Sequence, residues 1–289
     1  MLIGERRTFL ASRSLGNAQL SAAFARDGVL PRCRVLSEGE ADAAYANFRR
    51  YEAACGGAVT GDGRFKVHLM LPWLWSLIHH PRLTAAVAAA LGSSDVACWS
   101  SDVFVKEPGT GALTTWHQDS TYAGMQPPEG LTLWLALTPS TAENGAMRLL
   151  RGSHARGQLP HARGRGGPDN LLLAGQEAVG MEGADESGDV ITAELAAGEA
   201  SLHHLLTVHS SAPNRSSTRR VGIALRYITA QVTQARQPRD SVAVVSGDPA
   251  AFADRYELER EPAAELDDAG RAAHARAVAV VHPDSATPH

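Results

Sequence analysis

The chain has 289 residues, of which 44% are hydrophobic and 20% charged, with a formal net charge of −4. That balance is typical of globular proteins; it argues against a basic nucleic-acid-binding face, and no apolar run reaches the roughly 18–20 residues of a membrane span. The three cysteines, Cys33, Cys55 and Cys98, are far apart and form no CxxC pair, which argues against a zinc ribbon and for reduced thiols.

The opening MLIGERRTFLASRSLG has no continuous apolar stretch, so no signal peptide is read there and a cytoplasmic enzyme is the default expectation. Residues 17–26 place Leu20, Ala23 and Phe24 at helical spacing, with Asn17 as a cap. Residues 37–54 open with Ser37 and, three positions on, Glu40, the pattern of a capping box. Pro72 in 69–80 fits a helix start, and Pro81 with Gly92 brackets a further helix over 81–92.

The character then changes. Residues 97–107, 131–138, 201–209 and 220–229 are β-branched or apolar runs separated by Gly, Pro, Asn, Asp and Ser clusters, the punctuation of an all-β unit. Glycines and Pro168 break periodicity over 151–181, which reads as a long loop. A weak helical signal covers 263–280, and the last residues read as frayed. No linker or repeat divides the chain. The expectation is one domain over 1–289: a helical layer over about 1–95, a β-sandwich or barrel core over about 96–232, and an extension over about 233–289.

The chemistry centres on His117 and Asp119. In a strand, residues i and i+2 share a side, so the two would present an imidazole and a carboxylate to one point. A distant second imidazole would complete a two-histidine, one-carboxylate set, which fills one face of an octahedral ion and suits non-haem Fe(II) oxygenases. His282-Pro283-Asp284 repeats the pattern in the tail and reads as solvated. His209, at the end of an apolar strand, is the candidate second histidine. Arg220 follows eleven residues later across a hairpin, a permanent bidentate cation for a carboxylate.

WHQDSTY (116–122), LTLWLALTPSTAENGAMRLLRGSH (131–154) and HSSAPNRSSTRR (209–220) together resemble the phytanoyl-CoA dioxygenase family, over about residues 66–230. The resemblance implies a double-stranded β-helix, the cupin-like jelly roll, mainly β with helices outside. It implies Fe(II) on His117, Asp119 and His209, and 2-oxoglutarate with its far carboxylate on Arg220 and Ser211. It places Trp134, Trp99 and Lys66 at positions that line the cosubstrate pocket. It implies a small-molecule substrate oxidised with O2, with release of succinate and CO2. Halogenating relatives carry a small residue in place of the carboxylate, so Asp119 favours hydroxylation or another oxidation. The Asn144-Gly145 turn and Gly152-Ser153-His154 match landmarks read as structural.

Several residues carry two readings. His203 shares a strand face with His209 and either lines the pocket or is a hydrogen-bonded strand histidine; His204 points the other way. His79 and His80 join helices. Trp73 and Trp75 read as core; Trp116 and Tyr122 either shape the pocket or pack. Residues 146–168 hold five arginines and no acid, and 182–199 hold six acids and no Lys or Arg. Either stretch could close over a charged substrate, or both could be solvated and paired. Two alternative functions share the barrel and ligands, a metal-dependent hydrolase or isomerase and a non-catalytic metal-binding protein. Specialised metabolism is the expected setting for the oxygenase.

Overall fold

The computed structural model describes residues 17–163, 167, 169–172, 176–234 and 239–281, the side chains of Asn17, Tyr122 and Ala123 excepted. The expectations about the first sixteen residues, Arg165, the Tyr122 side chain and the His282-Pro283-Asp284 tail lie outside the described residues.

Helix α1 (Asn17–Asp27) leads into strand β1 (Val29–Arg34), then α2 (Glu38–Ala54), α3 (Pro72–Ile78) and α4 (Pro81–Leu91). The capping box forms: the Ser37 amide donates to Glu40 Oε2 at 2.7 Å and the Glu40 amide donates to Ser37 Oγ at 3.3 Å. Gly92 ends α4 at φ +63°, a left-handed cap that glycine adopts without strain.

The β-rich part follows as β2 (Val96–Lys106), β3 (Thr114–His117), the short α5 (Ser120–Ala123), β4 (Met125–Gln126), β5 (Gly130–Ala136) and β6 (Met147–Leu150). Then come β7 (His161–Ala162), β8 (Glu177–Ala178), β9 (Val190–Ala193), β10 (Glu199–His204), β11 (His209–Ser211), β12 (Arg220–Thr229) and β13 (Thr233–Gln234). The chain finishes with β14 (Ser241–Ser246), α6 (Ala250–Ala253), β15 (Glu257–Leu258) and α7 (Asp268–Val281).

A seven-stranded sheet runs β1-β10-β5-β12-β2-β14-β15, and a four-stranded sheet runs β3-β11-β6-β9. The two face each other as a jelly roll. Strand alternation sorts the large sheet's side chains. Leu131, Leu133 and Leu135 on β5, Val221, Ile223 and Leu225 on β12 and Leu202 on β10 point outward. They pack on Phe48, Leu74, Ile78, Leu83 and Val87 of the helices. Trp134, Ala136 and Ala224 point inward and meet Met147, Leu149 and Ala193 of the small sheet.

Three expectations are corrected. The run 201–209 is two strands in two sheets. The chain turns at His204–Thr207, where the Thr207 amide donates to His204 O and its hydroxyl to Gly28 O, both at 2.8 Å. Leu205 in the turn and Val208 just after it stay buried, which is why the run looks continuous in sequence. Strand β1 lies inside the stretch expected to form the helical layer. Strand β14, from the expected extension, pairs with β2 in the large sheet, so the core does not end at 232.

Candidate functional site

β11 pairs with β3 so that His209 sits opposite His117, with ring centroids 4.1 Å apart. Each ring makes the same backbone contact. His117 Nδ1 lies 2.8 Å from Thr115 O, and His209 Nδ1 lies 2.9 Å from Thr207 O. A carbonyl only accepts, so Nδ1 carries the proton in both rings and Nε2 is left with a bare lone pair.

Asp119 does not reach them from the strand. β3 ends at His117, and Asp119 has φ −62° and ψ −32° at the start of α5. The turn is pinned by Gln118, whose side-chain amide donates to Leu206 O at 2.7 Å and Gly157 O at 2.9 Å. Asp119 Oδ1 comes to 3.8 Å from His117 Nε2 and 3.9 Å from His209 Nε2. The three ligand atoms lie within 4.8 Å of one another, and all three residues are buried. An ion with bonds of about 2 Å would need them to close only slightly.

The electrostatics keep the set ready for a cation. Burial, then the neighbouring His209, pushes His117 down to about 3; burial, then His203, pushes His209 down to about 4. Burial alone would raise the Asp119 carboxyl, but Arg226 and the histidines outweigh it and hold it well below its ordinary value. Both imidazoles are thus neutral and the carboxylate charged at neutral pH, the protonation states metal ligation needs.

A row of side chains across the large sheet orients the carboxylate. Thr132 is in register with His203 on one side and Arg226 on the other. The Thr132 hydroxyl donates to Asp119 Oδ2, and Arg226 donates to Oδ1 at 3.2 Å and to Asp102. The His203 ring lies 4.3 Å from that of His209 and its Nε2 3.5 Å from Asp119 Oδ2. Neither His203 nitrogen has a hydrogen-bond partner among the described residues. His203 therefore lines the pocket, but from the sheet opposite His209 rather than from its strand.

One pocket contains all of this. Its lining includes Arg220, Ser211, Trp134, Met147, Phe65, Phe104, Leu171 and Leu172. Arg220 is 2% exposed, donates to Gly145 O and stacks 4.9 Å over Trp134. Burial lowers its pKa, and no acid among the described residues offsets that. A Cβ on Gly222 would fall 2.1 Å from the Trp134 ring, so glycine in β12 is what lets the indole lie there.

Two expected residues are elsewhere. Lys66 is fully buried, with Nζ donating to Ser241 O at 2.6 Å and pairing with Glu259 at 2.9 Å and Asp240 at 3.4 Å. Trp99 donates its indole N–H to Asp240 at 2.5 Å and packs edge-on against Phe65. Neither lines the pocket. Their polar partners come from residues 240–259, a stretch whose contacts spacing alone does not reveal.

Trp116 packs with Leu150, Met181 and Val208 under the Arg148 guanidinium, which lies 5.0 Å over its ring. The basic and acidic stretches meet each other, Arg148 pairing with Asp185 at 2.5 Å. No described arginine or acid of the two stretches lines the pocket; Met147 of β6 does, with Leu171 and Leu172 from between the stretches. His204 points away, as expected, toward Phe24 and His154.

Sequence reasoning missed Asp102, Lys106, Thr132 and Arg226. A signal existed: Asp102, Phe104 and Lys106 alternate along β2, and Arg220 and Arg226 share one parity in the otherwise apolar β12. Charges at alternating positions of a buried strand mark its polar-cavity face.

The family model described as Phytanoyl-CoA dioxygenase (PhyH) matches residues 24–222. The chain belongs to the phytanoyl-CoA dioxygenase family. Within it, the chain is 30% identical over 168 residues to a "Probable alpha-ketoglutarate-dependent hypophosphite dioxygenase" of Stutzerimonas stutzeri, covering 56% of this chain and 55% of that one. It is 30% identical over 145 residues to a "Phytanoyl-CoA dioxygenase" of Arabidopsis thaliana, covering 50% and 48%. The chain thus spans about half the length of the curated relatives it matches. Among solved structures, the apo form of ThoJ, a "non-heme monooxygenase", superposes with a TM-score of 0.78 at 32% identity, covering 91% of this chain and 96% of that one. The epimerase SnoN, solved with Fe3+, alpha ketoglutarate and nogalamycin RO, gives a TM-score of 0.62 at 25% identity, covering 75% and 85%. No helix among the described residues is long and apolar enough to cross a membrane.

Proposed function

We propose that this family member is a non-haem Fe(II)- and 2-oxoglutarate-dependent dioxygenase that hydroxylates or otherwise oxidises a small molecule, with specialised metabolism as its setting. One observation carries the reading. Two imidazole lone pairs and one carboxylate oxygen converge within 4.8 Å, in the same pocket as a buried arginine with no described acidic partner. The donor set fits ferrous iron, and the uncompensated cation fits the far carboxylate of a keto acid.

His117, Asp119 and His209 would hold the metal, and Arg220 with Ser211 would hold the cosubstrate over Trp134. When bound, iron would let O2 act as the oxidant on a C–H bond, one oxygen atom going to the substrate and the other to the keto acid, which would give up two electrons and leave as succinate and CO2. The chain's own part is to orient and exclude. Thr132 and Arg226 fix the carboxylate rotamer so that Oδ1 faces the two Nε2 atoms. The carbonyls of Thr115 and Thr207 fix the imidazole tautomers. Phe65, Phe104, Leu171 and Leu172 form an apolar wall that would press substrate against the centre and keep water out.

The test is substrate-dependent succinate release from a panel of small molecules, wild type against Asp119→Ala. Loss of succinate formation in the variant supports the reading. Turnover without succinate would favour the hydrolase or isomerase alternative, and iron binding with no O2 consumption the non-catalytic one.

A further inference from the structure

Lys106 is a buried cation that the proposed chemistry does not use. It ends β2 in register with Arg220 of β12, and it has no exposed surface. Its Nζ donates to Ser211 Oγ at 2.7 Å, to Ala212 O at 2.5 Å and to Ser211 O at 3.3 Å. An ammonium has three donors and no acceptor, so these contacts use its full capacity. Ser211 Oγ is therefore an acceptor toward Lys106, and its own proton must point elsewhere. Two directions remain: Thr114 Oγ1 at 3.0 Å, and the pocket that Ser211 lines.

The charge around this pair is unbalanced. Among the described residues no carboxylate lies within ion-pair distance of Lys106 or of Arg220, although both are buried. Burial, then Arg220 and Arg148, pushes the Lys106 ammonium down to about 6, so its charge and its third donor are complete only when an anion joins the pocket. Two buried cations side by side are unfavourable unless an anion joins them. The backbone is shaped to hold them together. Gly145 has φ +84°, its carbonyl accepts from Arg220, and a Cβ there would lie 2.2 Å from Ala212 O and 3.1 Å from Lys106 Nζ.

We propose that Lys106 is a positioning residue that makes the pocket selective for a dicarboxylic keto acid. Acting through Ser211, it turns the hydroxyl proton toward the carboxylate distant from the metal and adds a second positive charge behind that carboxylate. The proposal rests on the reading that the pocket takes 2-oxoglutarate.

The experiment compares 2-oxoglutarate with 2-oxobutyrate, which keeps the chelating keto-carboxylate end and lacks the far carboxylate. Both are titrated without O2 into the Fe(II)-loaded protein, and binding is read from the absorption band of the metal–keto-acid chelate. In Lys106→Met, 2-oxoglutarate should bind about tenfold more weakly, with 2-oxobutyrate changed less than about twofold. Combined with Ser211→Ala, Lys106→Met should add less than it costs alone, because the part of its effect that passes through the hydroxyl is already gone. Equal weakening of both keto acids, or fully additive losses, would overturn the proposal. Lys106→Gln keeps a donor to Ser211 without the charge and should recover part of the selectivity; if the methionine variant does not fold, an unchanged selectivity ratio in the glutamine variant overturns the proposal by itself. No band in the wild type with either keto acid would instead sink the cosubstrate reading, and this proposal with it.

Discussion

Thr132→Val isolates how much of the metal site depends on the side chain that steadies its carboxylate. Thr132 is 1% exposed and donates its hydroxyl to Asp119 Oδ2, while Arg226 holds Oδ1 at 3.2 Å. Valine has nearly the same shape, so packing against the adjoining strands should survive, and the fold should lose only about 1–3 kcal/mol, the cost of leaving a buried carboxylate oxygen without its donor. A hydrogen bond to a charged group contributes about 1.5–3 kcal/mol, a factor of about 10–150 in affinity if all of it is lost to the ligand. Because Arg226 still restrains one oxygen, the lower end applies, and Fe(II) affinity should fall about tenfold. Titration of the metal-free protein with Fe(II) under anaerobic conditions, alongside a thermal melt, measures both quantities. Wild-type affinity in a folded Thr132→Val protein would refute the reasoning, since the hydroxyl would then have no part in presenting the ligand.

Gly222→Ala should overpack the cavity, because the new methyl would sit 2.1 Å from the Trp134 ring. The cost should be about 1–3 kcal/mol, seen as a lower melting temperature together with changed tryptophan fluorescence and weaker 2-oxoglutarate binding. An unshifted melt would show that the indole can yield freely. Acid should act through Glu259. Burial would raise its pKa, but Lys66 and His68 outweigh burial and hold it at about 2, below an ordinary 4.5. A carboxyl depressed in the folded state adds stability that is complete above about 4.5 and is lost as pH falls through about 2. Glu259→Gln should therefore flatten the fall in stability between those two pH values; an unaltered slope in denaturant midpoints would contradict the pairing.

What the sequence disclosed, and what it concealed, follows from the range of each signal. The capping box at Ser37 and Glu40 and the Pro81–Gly92 bracket are local, and they form as read. The pairing of His117 with His209 joins residues 92 positions apart; the strand end at His209 and the Arg220 beyond it make His209 the candidate, and the family resemblance implies the same set. The route by which Asp119 arrives was misread, because a turn into α5 and a continuing strand place the carboxylate on the same side. The resemblance puts Lys66 at the cosubstrate pocket, and nothing local to Lys66 shows that Glu259, far along the chain, neutralises it. Arg226 and Asp102 escape a local reading, since their meaning depends on which sheet face closes over the cavity.

The two carbonyls that fix the imidazole tautomers have a practical corollary. Thr115 O and Thr207 O belong to the backbone, so the rings are aimed by the fold and not by whatever they grip. An incoming ion meets a finished socket, with no proton to evict and no ring to turn. Stripping and reloading should then be a matter of simple exchange, and different divalent ions should find the same three atoms waiting.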